Sequence, residues 1–216
     1  MRLFPKIFLT LISVWLLSFC GCQVSRFVPA GINEVHGIQP PVKDGIEKIS
    51  YKTHISDLKK DYSGLMVIKK MKEGEWRVAF FNELGMSYIE GSLSGTIFPF
   101  AFNLNSYNPL IISKEMIKKL EIGLNLLLVP GEMLQSAEIL EDQEQQLWFR
   151  KKTGDGRYCT GELDEKGQII KSFLSKNFPG SGIEVTFTYG SEENGYPEEM
   201  RVLDKKGRLF SELNSY

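Results

Sequence analysis

The sequence predicts a mainly β (α+β) fold of about eleven antiparallel strands with one main amphipathic helix. Three observations carry that reading. Short runs in which apolar and polar residues alternate recur along the chain, separated by glycine-containing breaks. One stretch, Lys114 to Leu128, follows a helical period instead. No fixed internal period is visible, so a solenoid or a propeller is not indicated.

The strand pattern is strongest from Tyr62 to Leu93. Leu65 and Val67 alternate with Met66 and Ile68, and Trp76, Val78 and Phe80 alternate with Arg77, Ala79 and Phe81. Met86, Tyr88, Ile89 and Leu93 carry a third run. Lys72-Glu73-Gly74 and Asn82-Glu83-Leu84-Gly85 supply the reversals, each with the glycine a tight turn uses. The middle run is apolar on both faces, which two packings satisfy. One is a sandwich core, and the other is a curved sheet around an apolar cavity.

The remaining elements follow in order. Ile49, Tyr51, Thr53 and Ile55 share one face of a strand that begins near Ile46. Phe98, Phe100 and Phe102 fall at period two within Gly95 to Asn103, where Pro99 removes a ladder donor and predicts an edge or a bulge. Asn103 to Pro109 reads as turn. In the helix, Ser113 is placed to cap, Glu115 lies in the first turn, and Met116, Ile117, Leu120, Leu124, Leu127 and Leu128 form the apolar stripe. Lys118, Lys119, Glu121 and Asn125 form its polar face, and Pro130-Gly131 ends it. Strands are then expected at Ala137–Glu141, Gln145–Lys151, Gly156–Leu163, Gln168–Ser175, Ile183–Tyr189, Glu199–Leu203 and Arg208–Asn214. Asp164 to Gly167 and Asp204 to Gly207 are matching hairpin turns.

The N-terminus reads as an address. Arg2 and Lys6 precede an apolar run, Ile7 to Phe19, that is shorter than the roughly 20 residues of a spanning helix. Phe19-Cys20-Gly21-Cys22 then looks like a bacterial lipobox, with Cys22 the lipidated residue because the small Gly21 precedes it. An ordinary cleaved signal with two incidental cysteines is the alternative. The expected organisation is a signal peptide over 1–21, a flexible tether over 22–45 and a folded domain over 46–216. The tether expectation rests on Pro29, Gly31, Gly37, Pro40, Pro41 and Gly45. Acyl chains on Cys22 would hold the protein at a membrane, each buried methylene adding about 0.8 kcal/mol. Gln23, rather than Asp, follows the cysteine, and by resemblance to enterobacterial lipoproteins this favours the outer membrane.

Composition excludes some partners and the motifs exclude most chemistries. The chain has 26 basic and 27 acidic residues, a net charge of -1. Removing Arg2 and Lys6 with the signal leaves -3 by subtraction. Neither value makes a basic field, so no nucleic-acid partner is expected. The histidines, His36 and His54, fall in a linker and a strand. Cys159 is the one cysteine of the mature chain that is not lipidated, which leaves no zinc spacing and reads as a buried filler. Ser56-Asp57-Leu58-Lys59 matches S-x-x-K without its companion motifs, and Glu138, Glu141, Asp142 and Glu144 lack EF-hand spacing. The sequence therefore points to a non-enzyme with no metal or cofactor.

Three segments together resemble a family. Glu75 to Ser92 (EWRVAFFNELGMSYIEGS), Met116 to Glu132 (MIKKLEIGLNLLLVPGE) and Tyr196 to Asn214 resemble, in order and spacing, segments of the LolA/LolB-like lipoprotein carriers and receptors, most closely the outer-membrane receptor side. The phenylalanine-rich Phe98 to Phe102 segment and the Asp155 to Ser175 hairpin have no counterpart there. The resemblance implies a strongly curved, unclosed β-barrel with helices on its open side. It also implies an apolar cavity for acyl chains and a lipid-anchored, periplasm-facing place on the outer membrane of a Gram-negative bacterium. The implied partners are a lipid or an acylated lipoprotein, and the membrane through the N-terminal lipid. Trp76, Val78, Phe80, Leu120, Leu124, Phe187 and Tyr189 are the expected cavity residues. In the receptor family a leucine at the position of Leu84 projects into solvent and touches membrane or incoming lipoprotein. Folding back against Trp76 or Met86 is the other possibility for Leu84. A structural or assembly lipoprotein, using the same fold to bind an envelope protein, is the alternative function.

Replacing Cys22 tests the anchor. Cys22→Ser is expected to abolish palmitate labelling and either release the protein from membranes or leave it as the uncleaved precursor. Normal labelling and maturation of the variant would refute the assignment.

Overall fold

The structure is a computed structural model. It describes residues 27–30, 37–57, 60–72, 74–107, 109, 112–176, 182–190, 194–204 and 207–215. The signal segment, Cys22 and His36 lie outside them.

Among the described residues thirteen strands form one antiparallel sheet, more than the eleven or so expected. They are β1 (Val28–Pro29), β2 (Lys48–Asp57), β3 (Lys60–Lys70), β4 (Trp76–Phe81), β5 (Ser87–Ser94), β6 (Ala101–Tyr107), β7 (Glu138–Glu141), β8 (Leu147–Lys152), β9 (Tyr158–Leu163), β10 (Ile169–Ser175), β11 (Glu184–Thr188), β12 (Glu199–Leu203) and β13 (Leu209–Ser215). Their order is β1-β7-β8-β9-β10-β11-β12-β13-β2-β3-β4-β5-β6. Two meanders, β2 to β6 and β7 to β13, are thus joined where the last strand pairs with the first long one, Leu213 opposite Thr53. The sheet stays open between β6 and β1.

Twist and curl bring distant parts of this order together. The Gly154 N–H, in the β8–β9 turn, donates to the Phe98 carbonyl in the β5–β6 loop at 3.2 Å. Those two connections lie towards opposite edges of the sheet, so only a strongly curved sheet allows the bond.

The chain between the meanders covers the concave face. It carries α1 (Lys114–Leu127) and the short α2 (Gly131–Leu134). Ser113 caps α1 by accepting the Met116 N–H at 3.1 Å. Met116, Leu120, Leu124 and Leu127 turn towards the sheet and are buried. Gly123 sets the closeness of approach: a Cβ there would lie 3.0 Å from Val202 Cγ2 and 3.2 Å from Met200 Cε, both on β12. Opposite α1, the alternating residues Tyr51, Met66, Ile68, Phe80, Val185, Val202 and Leu213 supply the other half of a single core.

The hairpins repeat one device. Asn82, Asp142 and Asp164 each use Oδ1 to accept backbone N–H groups two and four residues on. Asp204 accepts the Arg208 N–H in the same way. Each turn then needs a left-handed residue at its fourth position, which Gly85, Gly167 and Gly207 supply with φ between 71 and 79°. Gln145 occupies the equivalent place with φ 63°, without glycine's freedom.

Two expectations need correction. Residues 95–100 form a loop, and the edge strand is Ala101–Tyr107, so the period-two phenylalanines Phe98 and Phe100 precede the strand rather than build it, and Asn103 to Tyr107, expected as turn, are paired in it. Within 22–45, residues 27–30 and 37–45 lie against the domain rather than standing free. Val28 pairs with Glu141, Gln39 bridges to Gln168, and Pro41 is buried.

The Gln145 strain can be relieved. Gln145→Gly is expected to stabilise the domain by up to about 1 kcal/mol, the left-handed penalty less glycine's extra unfolded-state entropy. Denaturant midpoints of the two proteins measure it, and a loss of stability would show that the Gln145 side chain makes a compensating contact.

Candidate functional site

The concave interior gathers every expected cavity residue. Val78, Phe80, Leu120, Leu124 and Phe187 are between 0% and 5% exposed and belong to one continuous core. Trp76 and Tyr189 sit at its margin, each lining a separate opening. The Tyr189 hydroxyl donates to the Ile169 carbonyl at 2.9 Å, and the Tyr51 hydroxyl donates to the Pro197 carbonyl at 3.1 Å. Burial pushes both phenols well above their ordinary range, so both remain protonated donors. With α1 docked, this interior is filled by its own side chains.

One polar residue on α1 escaped the sequence reading. Asn125, placed on the solvent face, is 1% exposed. Its Oδ1 accepts the Phe100 N–H at 2.7 Å, and its Nδ2 donates to the Phe100 carbonyl at 3.1 Å and to the Glu121 carbonyl at 3.0 Å. The amide thus satisfies both backbone groups of Phe100 as a neighbouring strand would. It pins the β5–β6 loop to the helix. An asparagine following Glu121 by one helical turn gives no signal of this, because its partner lies 25 positions away.

The β4–β5 hairpin presents the opposite condition. Leu84 is 84% exposed and Met86 59% exposed. Leu84 does not fold back onto the domain. Its backbone is nonetheless held, because Asn82 Oδ1 accepts the N–H of Leu84 at 3.0 Å and of Met86 at 2.8 Å. Two apolar side chains therefore stand in water on a locked turn.

Among the described residues, Ser56, His54 and Asp61 lie together on β2 and β3 without the relay of a catalytic triad. Ser56 Oγ lies 3.3 Å from His54 Nε2 and donates to Asp61 Oδ1 at 2.7 Å, while His54 Nε2 also faces Asp61 at 3.7 Å. The carboxylate thus shares one ring nitrogen with the hydroxyl instead of orienting the ring from the other, as a triad requires. Both His54 and Asp61 are largely exposed. The Cys159 thiol is buried, and its pKa is pushed up to about 12 by desolvation, which keeps it unreactive. Among the described residues no group of three His, Cys, Asp or Glu is placed to hold a metal ion. No described helix is long and apolar enough to cross a membrane.

No family model, curated protein or solved structure matches the chain.

Two substitutions separate the pinned loop from the exposed tip. Asn125→Ala is expected to cost about 1–3 kcal/mol, because it leaves the Phe100 N–H and carbonyl without partners. Leu84→Glu is expected to change stability by no more than about 0.5 kcal/mol, since the side chain already stands in water. Chemical denaturation measures both, and a large loss for Leu84→Glu would rule out the exposed tip.

Proposed function

We propose that the protein is an envelope lipoprotein, anchored through Cys22, that accepts or binds an acylated or otherwise apolar ligand within its curved sheet, in the manner of the LolA/LolB-like carriers and receptors. It acts by binding and not by catalysis. Leu84 carries this reading. A locked hairpin tip would ordinarily be polar, and holding a leucine and a methionine in water there is unfavourable unless something apolar meets them. Burying one leucine yields about 1.5–3 kcal/mol, enough for a transient foothold on an acyl chain or a bilayer surface. Further support comes from the curved apolar sheet with one amphipathic helix across it, the architecture that the resemblance implies. The outer membrane, facing the periplasm, is the proposed location.

The filled interior favours a second reading, a protein-binding or assembly module that needs no cavity. Uptake of a chain into the interior would require α1 or the mouth to shift, whereas a module could work as it stands. The two readings separate in one experiment. Protein extracted from membranes is examined by native mass spectrometry for bound lipid, and its transfer of a fluorescent diacylated lipopeptide to vesicles is then measured. The carrier reading expects bound lipid and a transfer rate that falls about tenfold or more in Leu84→Glu at unchanged stability, a loss equivalent to the burial of one leucine. Absence of bound lipid together with equal, unassisted transfer by both proteins would leave the module reading.

A further inference from the structure

We infer that residues 37–47 are a gate across one mouth of the half-barrel, and that the cavity beneath them is the port through which an acyl chain reaches the interior. The inference rests on the proposed ligand-binding role and assigns its point of access.

The segment crosses the ends of elements that are far apart in the chain. The Gln39 N–H donates to the Gly167 carbonyl at 2.9 Å, and its Nε2 donates to the Lys166 carbonyl at 3.1 Å, both in the β9–β10 turn. The Pro40 ring rests against Gly131 at the start of α2, where a Cβ would lie 3.6 Å from Pro40 Cγ. The Lys43 N–H donates to the Gly195 carbonyl in the β11–β12 connection at 2.8 Å. The Glu47 carbonyl accepts the Lys70 N–H at the end of β3 at 2.7 Å. The partners named up to Lys43 are turn or loop groups rather than a strand ladder, and Pro40 and Pro41 bring no N–H of their own.

What lies beneath the segment is incompletely filled and of mixed character, with charged groups such as Lys70 and Glu132 beside the apolar side chains. On one flank a cavity of about 320 Å³ has Trp76, Phe100, Leu128 and Val129 as its floor and Val42 and Ile46 as its cover. On the other flank a cavity of about 180 Å³ lies against Tyr189 and Tyr196. Lys43 borders both, so the segment is the partition between them. The floor residues continue into the core through Leu124 and Leu127 of α1. The larger cavity is of the size at which small-molecule sites begin. The described core residues beyond it, such as Leu120, Leu124 and Phe80, are packed against one another, so an alkyl chain entering at this mouth meets open space before it has to displace them. Upstream β1 and downstream β2 are both paired into the sheet, so the segment can lift without leaving the domain.

A disulfide between positions 40 and 131 locks the segment down. The Cβ position of Gly131 lies 3.6 Å from Pro40 Cγ, so a small adjustment of the segment brings the two Cβ atoms within the roughly 3.5–4.5 Å of a disulfide, and Gly131 lacks the positive φ that would resist a side chain. Native Cys159 is fully buried. The full-length Pro40→Cys/Gly131→Cys protein is titrated, oxidised and reduced, with anilinonaphthalene sulfonate as a probe of access and with a diacylated lipopeptide as a probe of ligand. Oxidation is expected to weaken binding of the first probe about tenfold or more, by removing the open population, with recovery on reduction. Hydrogen exchange of the reduced protein is expected to show the Gln39 and Lys43 amides exchanging about a hundredfold faster than those of β13. Equal probe binding in both redox states overturns the gate, and so do strap amides as protected as β13. If the fluorescent probe is gated while the lipopeptide binds in neither state, the gate stands and the acylated-ligand reading falls.

Discussion

The structure depends on burial of one helix stripe in a curved apolar sheet. The concave face runs apolar from Tyr51 on β2 round to Phe149 on β8, and no flat partner sheet covers it. Met116, Leu120, Leu124 and Leu127 of α1 fill that hollow, and Gly123 removes the side chain that would hold the helix away from Val202. Each fully buried residue of this kind contributes about 1.5–3 kcal/mol. Without α1 the same face would be an exposed apolar patch of a size that soluble proteins avoid.

That packing needs the sheet to curl, and curling has to be reconciled with backbone hydrogen bonding at the open side. Asn125 does part of this work. Its amide takes both polar groups of Phe100, just before β6. The β8–β9 turn does another part, since the Gly154 N–H meets the Phe98 carbonyl. Loop, helix and distant hairpin are thereby joined where a closed barrel would have a strand pair.

The exposed and the buried apolar residues divide the functional question. Leu84 and Met86 stand in water on a locked turn, and Trp76 and Tyr189 border cavities at the margin of a filled interior. A protein that receives an acyl chain has to offer a contact outside and a route inside. On the proposed reading the hairpin tip is the contact, and residues 37–47 lie over a cavity that Trp76, Phe100 and Leu128 border together.

The sequence by itself determined the local elements. The matched turns at Asn82, Asp164 and Asp204 were legible because an Asx side chain bonds its own backbone, and the following glycine takes the left-handed φ. The α1 stripe and the inward alternation of Trp76, Val78 and Phe80 were legible because period alone assigns a face. Tertiary structure decided the rest. Asn125 reads as a solvent residue until Phe100 is placed beside it, and Phe98 and Phe100 read as strand until that amide draws the loop off the ladder. The two-residue β1 carries no periodicity, and a proline- and glycine-rich stretch has the same composition whether it hangs free or lies across a mouth. Whether the interior is hollow or filled was equally hidden, because alternation specifies which side chains face inward but not how far apart the facing surfaces stand. That distance is set by sheet curvature and the Gly123 approach, which are properties of residues distant in sequence acting on one volume.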